Sequence, residues 1–530
     1  MKRILLTILA AASLSAQTVE VTPVTPAAQT LKAHLDAGSD VVVRNTYAPI
    51  GYRLLWSRPS AAAQAAGKAT IQPTPQALAA IALFRAADAK ALDPKRYHFV
   101  ANDPVTFDVN MTASLVRYAS DLRIGRVNPS RQFQLDSDAK QVYLPALVVR
   151  ASEATDVAAV LAELEPQHDD YRRLLASLDT WRRIAAESAN DMPLPAVARL
   201  VPGDAYAAVP QLASRLRRFG DLSADYDGTT YDGALVDAVK HFQSRHGLDA
   251  AGIISTRTFA ALNVPAAQRV KQIELTIERW RWASEQLAGP SIVVNIPEFR
   301  LTARNASGET LEMKVVVGTA SRNETPVFEG SLKHVVFRPS WNVPPSIQRG
   351  EIARKVEKDA SFLARNGYEL TDAAGNSLGT SVDEATIARI RSGGVRVRQK
   401  PGNSNALGLV KFYFPNDNNV YLHSTPQQSL FARTRRDFSH GCIRVEDPSA
   451  LAAFVLGWPV EKVNAAMNGK QNDHYVKLAE AVNVRILYST AVARANGDVH
   501  FFDDIYGHDV ELAKVLEPKA KAGSVLVAAK

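Results

Sequence analysis

The apolar residues of the chain change their period once, at Ser291, and that change limits the folds open to it. Ahead of it they recur three and four residues apart, the spacing of one helix face. Leu78, Ile81, Leu83 and Phe84 show it first, then Leu115, Tyr118 and Leu122, then Leu161, Leu164, Tyr171, Leu174 and Leu175. Beyond it short runs read as strands: 292–296, 299–302 and 313–317, with Asn305-Ala306-Ser307-Gly308 as the turn between the last two. Further strands are expected at 333–337, 411–414, 419–422, 482–488 and 499–502, with a helix at 449–456. At 530 residues the chain is too long for one core, since single domains run about 100–200 residues. The pattern predicts a multidomain α + β protein, helical first and β-rich afterwards.

Boundaries follow from the same reading. Met1-Lys2-Arg3, the apolar run Ile4–Ala12 and the small residues Ser13–Ala16 have the form of a secretory leader, 1–16. The run is too short to span a bilayer, which takes about 20 apolar residues. No cysteine follows it to carry a lipid, and no second membrane span is expected. Residues 17 to about 33 read as a flexible lead-in, 34–200 as a helical scaffold domain with an Ala-rich stretch at 61–66, and 201–265 as a small three-helix unit. A charged linker helix spans 266–290, its Trp280 and Trp282 packing between domains. The β-rich domain runs over 291–510 with a helix-rich insertion at about 346–400, and 511–530 is a tail.

Export makes the cysteine count matter. Exported proteins pair their cysteines, yet this chain has one, Cys442, with nothing in its own chain to pair with. A lone thiol in an oxidising compartment is explained when its reactivity is its use. The net charge of +8 and pI near 9.3 are mild over this length, and suit an anionic surface such as a wall polymer. No basic run interleaved with aromatics supports a nucleic-acid partner.

Around Cys442 the sequence reads Tyr421-Leu422-His423-Ser424-Thr425-Pro426, then Ser439-His440-Gly441-Cys442-Ile443-Arg444-Val445. Attack by sulfur needs a thiolate, or a thiol with a base within hydrogen-bond reach, and two histidines are candidates for that base. Proximity in sequence favours His440; His423, 19 residues before the cysteine at the end of an expected strand, is favoured by spacing. Gly441 lets backbone approach a substrate, and the amides of Gly441 and Cys442 can form an oxyanion hole. One cysteine without a CxxC or HxxxH pair argues against zinc, so neither metal nor cofactor is expected.

A histidine, a gap of fifteen or so residues and then Ser/Thr-His-Gly-Cys resembles the signature of the L,D-transpeptidase family. The resemblance extends through Arg338–Pro345, through Arg398–Gly402 with Asn405-Ala406-Leu407-Gly408, and through Phe502–Tyr506. The string Ala238–Gln243, Gly247-Leu248, Gly252-Ile253 and Leu262-Asn263 resembles a peptidoglycan-binding domain, with Ala251 where an Asp is usual. The whole looks like the large periplasmic subgroup of Gram-negative bacteria, with a β-sandwich catalytic domain. The resemblance implies Cys442 as nucleophile and His423 as base, oriented by the Ser424 carbonyl. It implies Tyr421 with the Gly441 and Cys442 amides as oxyanion donors, and a shaping role for His440. Arg444 is the candidate for a substrate carboxylate, and Trp341 and Asn342 for the cleft lining. The implied substrates are stem peptides, a tetrapeptide donor and a diaminopimelate amine acceptor joined in a 3→3 cross-link, with other wall-synthesis proteins as partners and carbapenems as acylating agents. A hydrolase on the same scaffold and a non-catalytic wall binder are the competing readings.

Overall fold

Why the first half folds as helices is plain in their caps. The computed structural model describes residues 25–58, 70–127, 142–223, 226–284, 287, 289–320 and 322–517; the leader at 1–16, the Ala-rich stretch and residues 518–530 lie outside them. Helix α1 (Pro26–Asp36) stands where a flexible lead-in was expected. Thr25 caps it by accepting from the Ala28 amide, Pro26 presets its first turn, and Leu31 and Leu35 are buried. The scaffold core reaches from Leu31 to Leu164. Helix α2 (Asp169–Glu187) leaves that core and packs elsewhere.

Helices α3 (Val209–Arg218), α4 (Gly233–Arg245) and α5 (Thr256–Leu262) form the small unit, around Leu212, Leu216, Leu235, Phe242 and Phe259. Helix α6 (Ala266–Trp282) is the expected linker helix, with its tryptophans packed between domains. Its Ile273, Ile277 and Trp280 share a core with Tyr171, Leu174 and Trp181 of α2, while Trp282 enters the core of the β domain. Charge goes inside with it. Arg281 is fully buried, pairs with Glu278 at 3.0 Å and donates to the Lys90 carbonyl; Glu278 also accepts from the Arg126 and Val127 amides. One helix thus ties the scaffold to the second half of the chain.

Strands β1 (Ser291–Asn295), β2 (Arg300–Arg304), β3 (Thr310–Gly318) and β4 (Phe328–Phe337) lead into the insertion. It carries β5 (Trp341–Asn342), β6 (Tyr368–Thr371), β7 (Ser377–Gly379) and β8 (Arg396–Gln399). Then come β9 (Val410–Tyr413), β10 (Leu422–His423), β11 (Asp437–Ser439), β12 (Ile443–Val445) and β13 (His474–Leu487). The main sheet runs β3-β12-β10-β9-β4-β13-β1-β2, and β2 pairs back onto β3, so the eight strands close on themselves. Parallel β11 hangs on β3 at one side. Closure removes the free edges, and the apolar face of each strand fills the interior, Val294, Leu301, Val315, Val335, Phe412, Leu422, Ile443 and Val484 among them.

The insertion holds more strand than its sequence promised. Beside the helical run Pro345–Lys358, which includes a π turn at Gln348–Ile352, it forms a four-stranded sheet ordered β7-β6-β8-β5 over its own core of Ile352, Leu363, Leu370, Ile390 and Val397. After β13 a hairpin, β14 (Ala491–Ala493) with β15 (Val499–Phe501), docks the three-helix unit. Arg245 of α4 is buried there, bound to Asp221 at 2.6 Å and to the Val499 carbonyl. The expected tail from 511 begins instead as helix α7 (His508–Leu516), whose Leu512 joins the barrel core and whose Asp509 pairs with Arg279 of α6. Among the described residues no helix is long and apolar enough to cross a membrane.

Candidate active site

Strand β10 lies between two partners. It pairs antiparallel with β9, Lys411 opposite His423, and parallel with β12, Arg444 opposite His423. Phe412, Leu422 and Ile443 are fully buried in the barrel. Alternation along each strand therefore turns Lys411, Tyr421, His423, Cys442 and Arg444 to the opposite face. These five side chains line one cavity of about 1070 Å³, bounded across by Trp341, Asn342 and Arg349 at the foot of the insertion. Lys411, His423 and Arg444 make one cross-strand row; Tyr421 and Cys442 stand in the next.

His423 is only 4% exposed, and its Nδ1 lies 2.5 Å from the Ser424 carbonyl. A carbonyl only accepts, so Nδ1 carries the proton and Nε2 keeps its lone pair. Burial first, then the cations of Arg444 and Lys411, push the imidazole down to about 3, so it is neutral at neutral pH. Behind it the loop is braced. Asn405 donates to the carbonyls of Pro339, Gln399 and Lys400 and accepts from the Leu407 amide, and Gly408, at φ +61°, leaves no room for a side chain beside Ser424.

Cys442 is half-buried, and its thiol donates to the Asn419 carbonyl at 3.8 Å. Burial pushes the thiol above its ordinary range, against the opposing pull of Tyr421, Lys411 and Arg444. Gly441 sits at φ +108°, in the region that favours glycine. Its amide donates to Ser439 Oγ at 3.1 Å and its carbonyl accepts from Thr325 Oγ1 at 2.8 Å. The Gly441 amide is thus engaged within the loop instead of aimed at the cavity.

The remaining residues fall on either side. Nε2 of His440 is bonded to Glu351 Oε1 at 2.5 Å, so this histidine links the cysteine loop to the π turn of the insertion. Arg444 donates to Gln427 Oε1 at 2.6 Å. Trp341 and Asn342 lie on β5, paired with Gln399 and Arg398 of β8, where the insertion joins the cavity. Ser424 is buried behind His423 and is absent from the cavity lining. Among the lining residues missed from sequence are Asn419, at φ +53° with its carbonyl on the sulfur, and Lys411. Only strand register brings Lys411 to His423, and no local motif carries that.

Three stretches match known families. Residues 42–178 match a scaffold domain, 206–262 a "putative peptidoglycan binding domain" and 289–476 the L,D-transpeptidase catalytic domain of YkuD type. The chain thus joins a scaffold domain and a peptidoglycan-binding domain to a catalytic domain of L,D-transpeptidase type. A curated relative from Haemophilus influenzae, named "Putative L,D-transpeptidase", is 34% identical over 230 residues, 42% of this chain; the match spans about half that relative's length, 46%. Among solved structures, an L,D-transpeptidase from Xylanimonas cellulosilytica aligns at 15% identity and TM-score 0.17, over 55% of this chain and 99% of its own. One from Stackebrandtia nassauensis aligns at 14% and 0.22, over 54% and 93%.

Proposed function

We propose that this chain is an L,D-transpeptidase that forms 3→3 cross-links through a thioester on Cys442, with His423 as general base. The observation that carries the reading is the lone thiol sharing one cavity with a buried neutral imidazole whose other nitrogen is locked on Ser424. Because His423 is held neutral and the thiol is held protonated, attack begins from a neutral pair, and the proton moves to Nε2 as sulfur adds to the carbonyl. The Tyr421 hydroxyl and the Cys442 amide face the developing oxyanion. The proton then passes to the leaving nitrogen, and the amine of a second stem takes the acyl group. The insertion, tied to the cysteine loop through Glu351 and His440, supplies a wall that limits water. The leader-like pattern of 1–16 and the peptidoglycan-binding match support a periplasmic location in a Gram-negative bacterium, and a thiol nucleophile would be open to acylation by carbapenems.

Purified protein incubated with disaccharide-tetrapeptide and resolved by mass tests this. Cross-linked dimers support transfer, and tripeptide alone supports a hydrolase. No product, with retained binding to intact sacculi, would leave a wall binder and sink the enzyme reading.

A further inference from the structure

We propose that Lys411 reads the free α-carboxylate of the donor's terminal D-residue, making the cavity specific for stems that end at the residue expelled. The inference rests on the transpeptidase reading above and adds a specificity determinant to it.

Lys411 is half-buried in the cavity wall, directly opposite His423, with its ammonium 3.9 Å from the centre of the Tyr421 ring. It makes no ion pair among the described residues. Asp473, the carboxylate whose charge reaches it, is held by the amide and hydroxyl of Ser340 at 2.6 and 2.7 Å. An ammonium withdrawn from water without an anion is unfavourable, and a site that receives one from a ligand resolves the deficit. Arg444, the other cation of the row, already spends a donor on Gln427.

The chemistry places an anion there. In acylation the Sγ–carbon bond forms and the carbon–nitrogen bond to the terminal residue breaks. The thiol proton passes through His423 to that nitrogen, and the D-amino acid leaves with its carboxylate intact. The leaving nitrogen must therefore lie at Nε2 of His423. Its own carboxylate carbon is two bonds away, about 2.5 Å, and the next strand is about 4.8 Å across. Lys411 occupies that neighbouring position. A stem extended by one residue moves the charge about 3.8 Å further on, and an amidated end removes it.

Two donors that differ only in a terminal D-alanine or D-alaninamide test the idea, with release of either followed by mass. Wild type should favour the acid in kcat/KM by about 10- to 100-fold, the range of a charge-assisted hydrogen bond. Lys411→Met should bring that ratio close to one through a far larger loss on the acid than on the amide, while Lys411→Arg keeps a preference. Equal rates on both donors in wild type overturn the proposal without any variant. So does a ratio unchanged in Lys411→Met, and so does an equal loss on both donors, which would mark a cation acting on the thiol. Wild type that releases neither leaving group, while Cys442 is still alkylated by iodoacetamide, would refute the transpeptidase reading itself. Melting curves of the variants check that they are folded.

Discussion

His423 faces Lys411 across the antiparallel pairing of β9 and β10, so the imidazole at the heart of the cavity has an ammonium as its neighbour in the sheet. With Arg444 on its other side and little water, the ring resists protonation. A base that must be neutral to act is thereby kept neutral well into acid. The acid limb of kcat/KM should therefore fall far below the ordinary histidine range, towards pH 3, and alkylation of Cys442 should rise only above the ordinary thiol range. A midpoint near 6.5 in the activity profile would contradict the assignment.

The same burial has a consequence for stability. His423, His246 and His500 are all pushed down by desolvation, His500 to about 4. Each binds its proton more readily unfolded than folded. Stability is complete above the unfolded value near 6.5 and declines as pH falls from there towards the folded values. Melting temperature measured from pH 7.5 to 4.5 should drop steadily below about 6.5; a flat profile would count against these burials.

Replacing the two histidines separates their parts. His423→Gln should cut product formation by about 10²- to 10⁴-fold, the usual worth of a general base. His440→Gln, whose Nε2 is bonded to Glu351, should cost far less in the chemical step. Single-turnover rates with the tetrapeptide donor decide between them. A comparable loss in both would return His440 to contention.

The pair Cys442–His423 was legible because it sits in one short stretch whose residue types have few other uses. Lys411 was not, since its place depends on how β9 and β10 register, and a shift of one residue would have turned it into the core. The His440–Glu351 contact joins residues far apart in the chain for the same reason. The helical half was readable from its spacing, although the Thr25-Pro26 start of α1 was passed over despite being a standard cap and first turn. Helix α6 was read as a charged linker helix with its tryptophans packed between domains; that its charges are paired inside the protein is something periodicity does not reveal. The small sheet of the insertion escaped because β5 and β7 are two and three residues long.

Two positions should report on the framework. Arg281→Met leaves Glu278 charged and buried, and the loss should be about 3–5 kcal/mol, seen as a lower denaturant midpoint. Gly408→Ala forces a side chain into positive φ, with its Cβ 2.4 Å from Ser424 Oγ. It should lower melting temperature and activity together, because Ser424 holds His423.

The thioester on Cys442 is the centre of the proposal, and intact-protein mass spectrometry after rapid acid quench reads it directly. With tetrapeptide donor and no acceptor, wild type should gain the mass of the donor less one free D-amino acid, on the peptide that carries Cys442, and Cys442→Ala should gain nothing. Product formation without that adduct, or retained by Cys442→Ala, would contradict it.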